Sequence, residues 1–483
     1  MARIPILLAT INARYTHAAL GLRWLMANLG ALREQAALRE FHLGQSALQV
    51  AEALLADRPR LIGLGVYIWN VEITTAVVQA IKAVAPEVTI VLGGPEAAHE
   101  YEATAIFRHA DYLIRGEGEV AFAELARAIL DGRPPEGKVI DAEPPDLGAL
   151  VLPYDLYTDA DLAHRRIYVE ASRGCPFRCD FCLSALDPSV REFPLPPLLD
   201  ALERLIERGA RQLKFVDRTF NLHPARVRAI LEFFLERWRE GLSLHFEIVP
   251  DRLGEDALGL LARFPAGALQ LEVGVQTFNP DVQEAISRRQ DLEKTVATLG
   301  FLRKKTRAWL HADLIAGLPG ESWESFAAGF DRLLALGPQA IQVGILKRLR
   351  GAPIARHAEP HAMVFAEHPP YEILQTDLID FARMQRLRRF ARYFDLVYNS
   401  GNFPRTLGLL WATRPSAFEA FMALSDEVWA RTGRTAELAL ARLAEILYEF
   451  LMKEQAAAPP AIAEALEQDF RKPGRREKLA FLK

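Results

Sequence analysis

The chain has 483 residues, half of them hydrophobic and a quarter charged, a balance typical of soluble globular proteins and not of disordered or fibrous ones. It has only three cysteines, which excludes a disulfide framework and leaves no argument for an oxidising compartment. The 58 basic and 62 acidic residues give a net charge of −4 and no global case for a nucleic-acid partner. No apolar run reaches the roughly 18–20 residues of a membrane span, and the N-terminal run is too short for a signal peptide. We therefore expect a cytoplasmic protein without a membrane segment.

The first 131 residues alternate between apolar strands and amphipathic helices. Strands are predicted at 3–10, 61–68, 88–92 and 112–114, and helices at 20–29, 48–55, 71–84, 103–107 and 121–130. This alternation predicts an α/β domain with a doubly wound, Rossmann-like parallel sheet. Glycine-containing turns fall at strand ends, where such sheets bind ligands. Glycine also serves ordinary tight turns, and no complete G-x-G-x-x-G run is present. These glycines therefore fit either a ligand site or plain turns between strand and helix.

A proline-rich segment separates this domain from the next. Residues 132–163 contain five prolines and few periodic apolar positions, which predicts a linker. From 164 to 348, strands and helices alternate again through six repeats. The division predicted from these patterns is a first domain at 1–131, a linker at 132–163, a second domain at 164–348 and a third at 349–483.

All three cysteines fall within eight positions, on a loop after the first strand of the second domain. The run is Cys175-Pro-Phe-Arg-Cys179-Asp-Phe-Cys182. Three thiolates on one tight loop can converge on a soft metal or on an iron–sulfur cluster. A zinc site usually needs a fourth cysteine or a paired histidine, and neither lies nearby in the sequence. Three unrelated buried thiols are the alternative.

This C-x3-C-x2-C loop resembles the cluster loop of the radical S-adenosylmethionine (SAM) superfamily. The resemblance implies that the three cysteines bind a [4Fe–4S] cluster, that SAM chelates its fourth iron, and that Phe181 lies beside the adenine. It also implies reductive cleavage of SAM to a 5′-deoxyadenosyl radical. The repeats from 164 to 348 suit the partial, TIM-like (β/α)6 barrel of that superfamily, with its chemistry at the carboxyl ends of the strands.

Polar residues at those strand ends are candidate SAM ligands. The stretch 269–325 is similar to oxygen-independent coproporphyrinogen III oxidase, another radical SAM enzyme. That likeness implies Gln276 and Asp313 at the SAM ribose and Glu247 and Arg288 at its methionine end. In the superfamily the position of Asp217 usually holds the SAM amine. An arginine can pair with the SAM carboxylate and a carboxylate can accept from its ammonium, although each residue alone also fits a surface ion pair or a strand cap.

The chain also departs from that oxidase. Ser184 stands where the oxidase has an additional cysteine, and the oxidase has no counterpart of the domain before residue 150. The porphyrin reaction is therefore not carried over to this chain.

An α/β domain ahead of a radical SAM barrel resembles the cobalamin-binding radical SAM subfamily. Matching segments begin at Asn12, Gly65, Gly93 and Arg115. The resemblance implies cobalamin over the carboxyl edge of the sheet, against the mouth of the barrel. The residues assigned to cobalamin in this way are Asn12, Tyr15, Gly65, Tyr67, Trp69, Gly93, Gly94 and Glu117.

Two features depart from that subfamily. The D-x-H-x-x-G motif, whose histidine ligates cobalt in many cobalamin domains, is absent, and His17 precedes a glycine at the wrong offset. Gly65 stands where a small hydroxyl residue is common. Many members bind cobalamin without a protein histidine, so cobalamin remains predicted, and a domain that kept the fold without the ligand is the alternative.

Residues 349–483 resemble the uncharacterised C-terminal helical domain that follows some of these barrels. His357, His361 and His368 lie on a proline-rich loop, where irregular spacing favours surface positions over a metal site. Helical spacing begins near 371, and one or two more helices are predicted over 416–453. The first of these helices has a basic face that would suit an acidic substrate or partner, although a solvated face is the simpler interpretation. The basic end, 471–483, is expected to be loosely held.

The function favoured by these resemblances is cobalamin-dependent C-methylation of an unactivated carbon. One SAM would methylate cob(I)alamin, a second would yield the radical that abstracts hydrogen, and methylcobalamin would supply the methyl group. The alternative is a radical SAM rearrangement, ring contraction or oxidation with cobalamin absent or not methylating. A tRNA methylthiotransferase needs a second set of cysteines, which the chain lacks. A non-catalytic corrinoid carrier would need no SAM pocket, and the candidate SAM residues Glu247, Gln276, Arg288 and Asp313 argue against it. Expected partners are a small-molecule substrate and an electron donor such as flavodoxin or ferredoxin.

Overall fold

The protein consists of two six-stranded parallel sheets, each covered by helices, and a C-terminal helical bundle. This architecture comes from a computed structural model, which describes residues 4–471 and residue 479. No helix within those residues is long and apolar enough to cross a membrane.

The first sheet has the strand order β2-β1-β3-β4-β5-β6. Every residue of β1 is buried, because the strand lies inside the sheet with helices on both faces. The chain runs from β1 outward to β2 and then returns to β3 on the other side of β1, so a crevice forms at the carboxyl ends of β1 and β3. The predicted doubly wound domain is thereby confirmed. Its elements are β1 (Ile6–Asn12), α1 (Leu20–Ala27), β2 (Ala36–His42), α2 (Ala47–Ala56), β3 (Leu61–Gly65), α3 (Val71–Val84), β4 (Thr89–Gly93), α4 (Ala105–His109), β5 (Tyr112–Arg115), α5 (Glu119–Leu130) and β6 (Val139–Asp141).

Two strands of this sheet are not predicted by the sequence pattern. Strand β2 lies at an edge with one buried residue out of seven, so it lacks the apolar alternation of a half-buried strand. Strand β6 has three residues and lies inside the proline-rich segment predicted as a linker. The linker prediction is therefore wrong at this point, since the sheet of the first domain continues to Asp141 and a helix, α6 (Asp159–His164), follows before the barrel.

The second sheet has the order β14-β13-β12-β11-β10-β7 and forms the predicted partial (β/α)6 barrel. Burial alternates strictly along β12 and β13, because one face of each strand packs against helices and the other faces the lumen. A short hairpin, β8 (Ser172–Arg173) with β9 (Arg191–Glu192), brackets the cysteine loop. The remaining elements are β7 (Ile167–Val169), α7 (Leu195–Glu207), β10 (Gln212–Phe215), α8 (Pro224–Arg237), β11 (Ser243–Ile248), α9 (Glu255–Arg263), β12 (Leu269–Gln276), α10 (Pro280–Ala285), α11 (Leu292–Lys305), β13 (Trp309–Ala316), α12 (Trp323–Ala335) and β14 (Ala340–Ile345).

The C-terminal region is mainly helical, as predicted. The helix expected from 371 begins only at Phe381, because Asp380 caps its first turn and residues 373–375 pair as a strand instead. The predicted basic end, apart from Arg471 and Leu479, lies outside the described residues. The elements are β15 (Val364–Phe365), β16 (Ile373–Gln375), α13 (Phe381–Phe394), α14 (Pro404–Trp411), α15 (Ala417–Thr432), α16 (Leu440–Lys453) and α17 (Pro459–Phe470).

Candidate functional site

The cysteine loop is a tight, largely buried turn at the carboxyl end of β7. Cys175 and Cys179 are buried and Cys182 is half-buried, and burial raises the pKa of the first two thiols. Gly174 starts the loop at a φ of +88°, and a Cβ there would lie 1.8 Å from the carbonyl oxygen of Ser189, so only glycine fits. The chain therefore turns sharply enough to present all three thiols from one loop.

All three thiols come from one loop, and the cubane predicted from the sequence would take one iron for each thiolate. Within residues 4–471, no three His, Cys, Asp or Glu side chains form a group that could hold a single metal ion. The Arg288 guanidinium also reaches this site, since its Nη1 lies 3.6 Å from Cys179 Sγ while Nη2 donates to the carbonyl of Gly274.

Asp180, between two of the cysteines, ties the loop to the C-terminal region. Its carboxylate Oδ2 lies 2.6 Å from Arg356 Nη2 and 2.7 Å from His357 Nε2, and its carbonyl accepts from the Ile354 N–H at 2.8 Å. Its own N–H donates to the Ile286 carbonyl at 3.0 Å. The side chain is 2% exposed. Residues 354–357 thus hold the loop from outside the barrel, and one of the three predicted surface histidines has a structural partner there.

Replacing Asp180 with asparagine is expected to slow SAM cleavage roughly 10- to 100-fold, because small displacements of reacting groups have effects of that size. Iron content should stay close to that of the wild type, while the electron paramagnetic resonance spectrum of the reduced cluster with SAM should change. Asp377→Asn, which alters a contact to His361 in the same region, is the matched control. An unchanged rate and spectrum in the Asp180 variant would contradict this positioning role.

Gln276 ends strand β12, and Asp313 lies on the neighbouring strand β13, three residues before its end. Gln276 Oε1 and Asp313 Oδ1 are buried and accept no hydrogen bond from the described residues, and His311 Nε2 lies 3.4 Å from Asp313 Oδ1. Burial, with the nearby carboxylates of Glu272 and Glu247, holds the pKa of the Asp313 carboxyl well above its ordinary value. Gln276 also has a φ of +70°, an uncommon conformation that concentrates at functional sites. Gln276 Oε1 therefore has no donor among the described residues, and Asp313 Oδ1 has only the long contact to His311.

The other predicted SAM residues divide into two groups. Phe181 lines a cavity along the open edge of the barrel, and Glu247 lies 3.8 Å from Lys214 Nζ and 3.9 Å from Arg218 Nη1. Asp217 is 2% exposed, and its oxygens accept from the Ala171 N–H at 2.9 Å and the Ser172 hydroxyl at 2.6 Å. Its carboxylate therefore holds the start of the cysteine loop, and its place at the SAM amine stays a prediction.

Replacing Gln276 with alanine is expected to weaken SAM binding roughly tenfold, since one hydrogen bond contributes about 1 kcal/mol and neighbouring groups are left unpaired. The quantity to measure is the Kd for SAM under anaerobic conditions. Gln212→Ala, at the exposed amino end of β10, is the control. Equal Kd values for both variants would exclude Gln276 from the SAM site.

The lumen of the barrel carries a polar layer that the sequence prediction did not assign. Lys214 Nζ lies 3.0 Å and His245 Nε2 lies 2.8 Å from Glu272 Oε2. Lys214 is on β10 and Glu272 is on β12, so their contact crosses the intervening strand β11 on the concave face. Burial raises the pKa of Glu272, but the hydrogen bonds from His245 and Lys214 outweigh burial and lower this pKa to about 2. Barrel interiors are usually filled by branched apolar side chains. The signal in the sequence was polar residues at alternate positions, as at His245 and Glu247 on β11 and at His311 and Asp313 on β13.

A second cavity, of about 670 Å³, lies between the first domain and the barrel. It opens at the carboxyl ends of β1, β3 and β4, where the order of the first sheet reverses. The barrel contributes Tyr168, Glu170, Arg173 and Val216 to its wall. Seven of the eight residues predicted to contact cobalamin line it: Asn12, Gly65, Tyr67, Trp69, Gly93, Gly94 and Glu117. The structure thus brings these residues to one cavity.

Two of the predicted cobalamin residues have other partners. Tyr15 is half exposed outside the lining of the cavity, and its ring packs against the Arg165 guanidinium at 4.5 Å. Glu117 lines the cavity, but its carboxylate pairs with Arg173 and Arg191. His17, which the sequence analysis did not assign to cobalamin, lines the same cavity with its Nδ1 2.5 Å from the Tyr168 hydroxyl.

Arg173, two residues before Cys175, joins the cysteine loop to this cavity. It pairs with Glu117 and Glu119 of the first domain at 2.6 and 2.7 Å, and with Glu170 of the barrel at 2.9 Å. Its guanidinium also stacks over Trp24 of the first domain at 4.9 Å. Burial raises the pKa of Glu170 to about 7 in spite of this pairing. Since three carboxylates converge on one arginine, the relative position of the two domains is fixed at the loop itself.

Three family models match successive parts of the chain. The B12 binding domain matches residues 6–126, the Radical SAM superfamily matches 169–333, and a protein of unknown function (DUF4080) matches 359–482. The first two ranges contain the cavity and the cysteine loop described above. The described helices α13 to α17 fall within the third.

Individual relatives agree with these matches. The oxygen-independent coproporphyrinogen III oxidase of Paracoccus denitrificans (strain Pd 1222) is 31% identical over 181 residues, covering 35% of this chain and 39% of the relative. The cobalamin-dependent radical SAM methyltransferase TokK of Streptomyces tokunonensis is 25% identical over 310 residues, covering 58% of this chain and 45% of the relative. The chain therefore spans less than half the length of these two curated relatives.

A solved structure shares the whole architecture. The radical SAM methyltransferase TsrM of Kitasatospora setae, with cobalamin and a [4Fe–4S] cluster bound, superposes with a TM-score of 0.63 at 19% identity, covering 97% of this chain and all of that chain. At this identity the likeness concerns the fold. With its B12-binding, radical SAM and uncharacterised C-terminal domains in that order, the chain has the domain composition of a B12-binding radical SAM enzyme.

Proposed function

We propose that the protein is a cobalamin-dependent radical SAM methyltransferase that methylates an unactivated carbon of a small molecule. The observation that carries this proposal is the cavity shared by the first domain and the barrel, whose wall includes Arg173 of the cysteine loop. A corrinoid in that cavity would lie beside the barrel mouth. When bound, the [4Fe–4S] cluster supplies the electron that cleaves SAM to a 5′-deoxyadenosyl radical, and cobalamin carries the transferred methyl group.

The cavity fits a large ligand with a flat ring system. Its floor is backbone at six glycines, which lets a ligand approach the strand ends closely: Gly63, Gly65, Gly93, Gly94, Gly116 and Gly118. A Cβ at Gly93 would meet only one protein atom within 4 Å, the Ile114 carbonyl oxygen at 3.9 Å, so the space there is open. The rings of Tyr67 and Trp69 stack at 4.5 Å and present a flat aromatic wall.

The lumen fits SAM, which carries a sulfonium and an ammonium against one carboxylate. The buried acceptors Gln276 Oε1 and Asp313 Oδ1 suit ribose hydroxyls, and the Glu247 carboxylate suits the ammonium. Arg288, already in contact with Cys179, suits the SAM carboxylate beside the open iron. Burial raises the pKa of Glu247 as well as that of Asp313, and a cationic ligand would offset this excess of carboxyl groups.

The alternative is a radical SAM rearrangement, ring contraction or oxidation in which cobalamin is absent or carries no methyl group. The same cysteine loop and SAM residues would serve it. We also propose an external electron donor such as flavodoxin or ferredoxin, because the three cysteines leave no thiol for a second cluster.

The experiment that separates these functions uses protein purified and reconstituted anaerobically, then incubated with SAM, reductant and a small-molecule fraction of the organism that encodes the protein. Methyl transfer predicts S-adenosylhomocysteine together with 5′-deoxyadenosine. Production of 5′-deoxyadenosine alone, by protein without bound corrinoid, would reject methyl transfer and favour the alternative.

A further inference from the structure

The arginines of helix α13 do not form one solvated face. Arg386 pairs with Asp426 at 2.6 Å, and Arg389 packs over the Trp429 ring at 4.9 Å, both within the C-terminal bundle. Arg388 and Arg392 instead line a cavity of about 700 Å³ between the bundle and the barrel. The basic residues of α13 therefore divide into two that pack within the bundle, Arg386 and Arg389, and two that line the cavity, Arg388 and Arg392.

This cavity lies along the open edge of the barrel. Strand β14 is the last strand of its sheet, and the cavity follows residues 342–347 of that strand and the segment after it. Phe181 of the cysteine loop and His311 of the lumen belong to the same wall. A molecule bound there would reach from the helical bundle to the proposed SAM site.

The edge of β14 offers backbone hydrogen-bonding groups to this cavity. Asn399 binds the Ile341 N–H at 3.0 Å and the Ile341 carbonyl at 2.9 Å, as a neighbouring strand would. Successive residues of a strand in a parallel sheet turn these groups to alternate sides, so those of Val343 and Ile345 point the same way as those of Ile341. Among the described residues outside the sheet, none binds them. Unpaired edge groups next to a cavity are complementary to an amide.

Charged side chains flank that edge. Lys347, Arg388 and Arg392 face two carboxylates, Glu372 and Asp395, all lining the cavity. Arg388 Nη2 lies 2.7 Å from Glu372 Oε2, and Arg392 Nη1 lies 3.4 Å from Asp395 Oδ2. Three cations against two carboxylates leave one positive charge in excess, which favours a ligand with a carboxylate.

We propose that this edge cavity binds the substrate and that the substrate is a peptide-like carboxylic acid. An amide of the substrate pairs with the backbone of Val343 or Ile345, and its carboxylate is held by Lys347 and Arg388. This inference rests on the proposed methyl transfer and adds to it the class of substrate. The substrate carbon would then lie on the Phe181 side of the cavity.

The test follows tritium from methyl-labelled SAM in the reconstituted holoenzyme, incubated with the small-molecule fraction described above. We expect the labelled product to be retained on an anion exchanger at neutral pH and to be split by acid hydrolysis of its amide. Retention that is lost after phosphatase treatment, or a labelled product that is neutral, cationic or resistant to hydrolysis, would overturn the assignment. If no label leaves SAM and no S-adenosylhomocysteine forms, the methyl-transfer proposal fails instead.

Variants locate the site on the chain. Arg388→Gln is expected to raise the KM for the labelled substrate roughly tenfold or more, as expected for loss of a charge-assisted hydrogen bond, with a smaller change in kcat. Arg383→Gln, on the same helix but packed against Trp323, is the matched control and should leave KM unchanged. Folding of both variants is checked by their cobalamin and iron contents. Equal KM values for folded Arg388 and Arg383 variants would overturn the proposal.

Discussion

Replacing any one of Cys175, Cys179 and Cys182 with alanine is expected to abolish cleavage of SAM. A cubane with only two remaining thiolates loses a ligand to one of its irons, and the open iron that SAM needs is no longer defined. The measurement is 5′-deoxyadenosine formed per chain, together with the iron content and the visible absorbance of the cluster.

Ser184→Ala is the matched control, because it lies just beyond the third cysteine and its side chain is not part of the predicted ligand set. It should keep both the cluster and the cleavage activity. SAM cleavage that persists in a cysteine variant at the rate of this control would refute the cluster assignment.

Replacing Gly93 with leucine is expected to remove cobalamin while leaving the cluster in place. The glycine lies at the end of β4 on the wall of the cavity, and the space around its Cβ position is open. A leucine therefore fits the folded apoprotein but occupies volume that the ligand needs. Overpacking of this kind costs about 1–3 kcal/mol, which corresponds to a roughly 5- to 150-fold weaker Kd.

The measurement is an anaerobic titration with cobalamin, followed by absorbance. Gly259→Leu is the control, since this glycine lies on helix α9 with no atom within 4 Å of its Cβ position. We expect the Gly93 variant to retain full iron content and 5′-deoxyadenosine formation without methyl transfer. Tight cobalamin binding by this variant would show that the ligand does not occupy the cavity.

The parts of the site that the sequence predicts are those encoded by local patterns. The cysteine spacing and the glycines after β3 and β4 depend on a few consecutive residues, and the structure brings the glycines to the predicted cavity. Gln276 and Asp313 follow from strand ends in a parallel barrel, where neighbouring carboxyl ends meet at one edge.

The parts that the sequence does not predict depend on contacts between distant segments. The sequence predicts only that Arg173 lies on a loop. Its partners Glu117 and Glu119 lie more than 50 positions earlier in the chain, and no local pattern connects them. Asp217 is a predicted SAM ligand, and its contacts to the Ala171 N–H and the Ser172 hydroxyl are not predicted by the sequence. Tyr15 falls within a matching segment and still packs outside the cavity, against Arg165. No periodicity in the sequence specifies such pairings.

The edge cavity also depends on contacts between distant segments of the chain. The spacing of arginines on α13 predicts a basic face, whereas only the packing of the bundle against β14 separates Arg388 and Arg392 from Arg386 and Arg389. The polar lumen, by contrast, follows a local pattern that the sequence analysis did not use, because polar and apolar residues alternate along parts of the barrel strands.

The most direct test of this account is a structure of the anaerobically reconstituted protein with cobalamin and SAM. The account predicts corrin density between the Gly93–Gly94 turn and the barrel residues Tyr168 and Glu170, with SAM contacting Gln276 and Asp313 beside a cluster on the three cysteines. Corrin density at another place, or an empty cavity in protein whose SAM and cluster sites are filled, would contradict it.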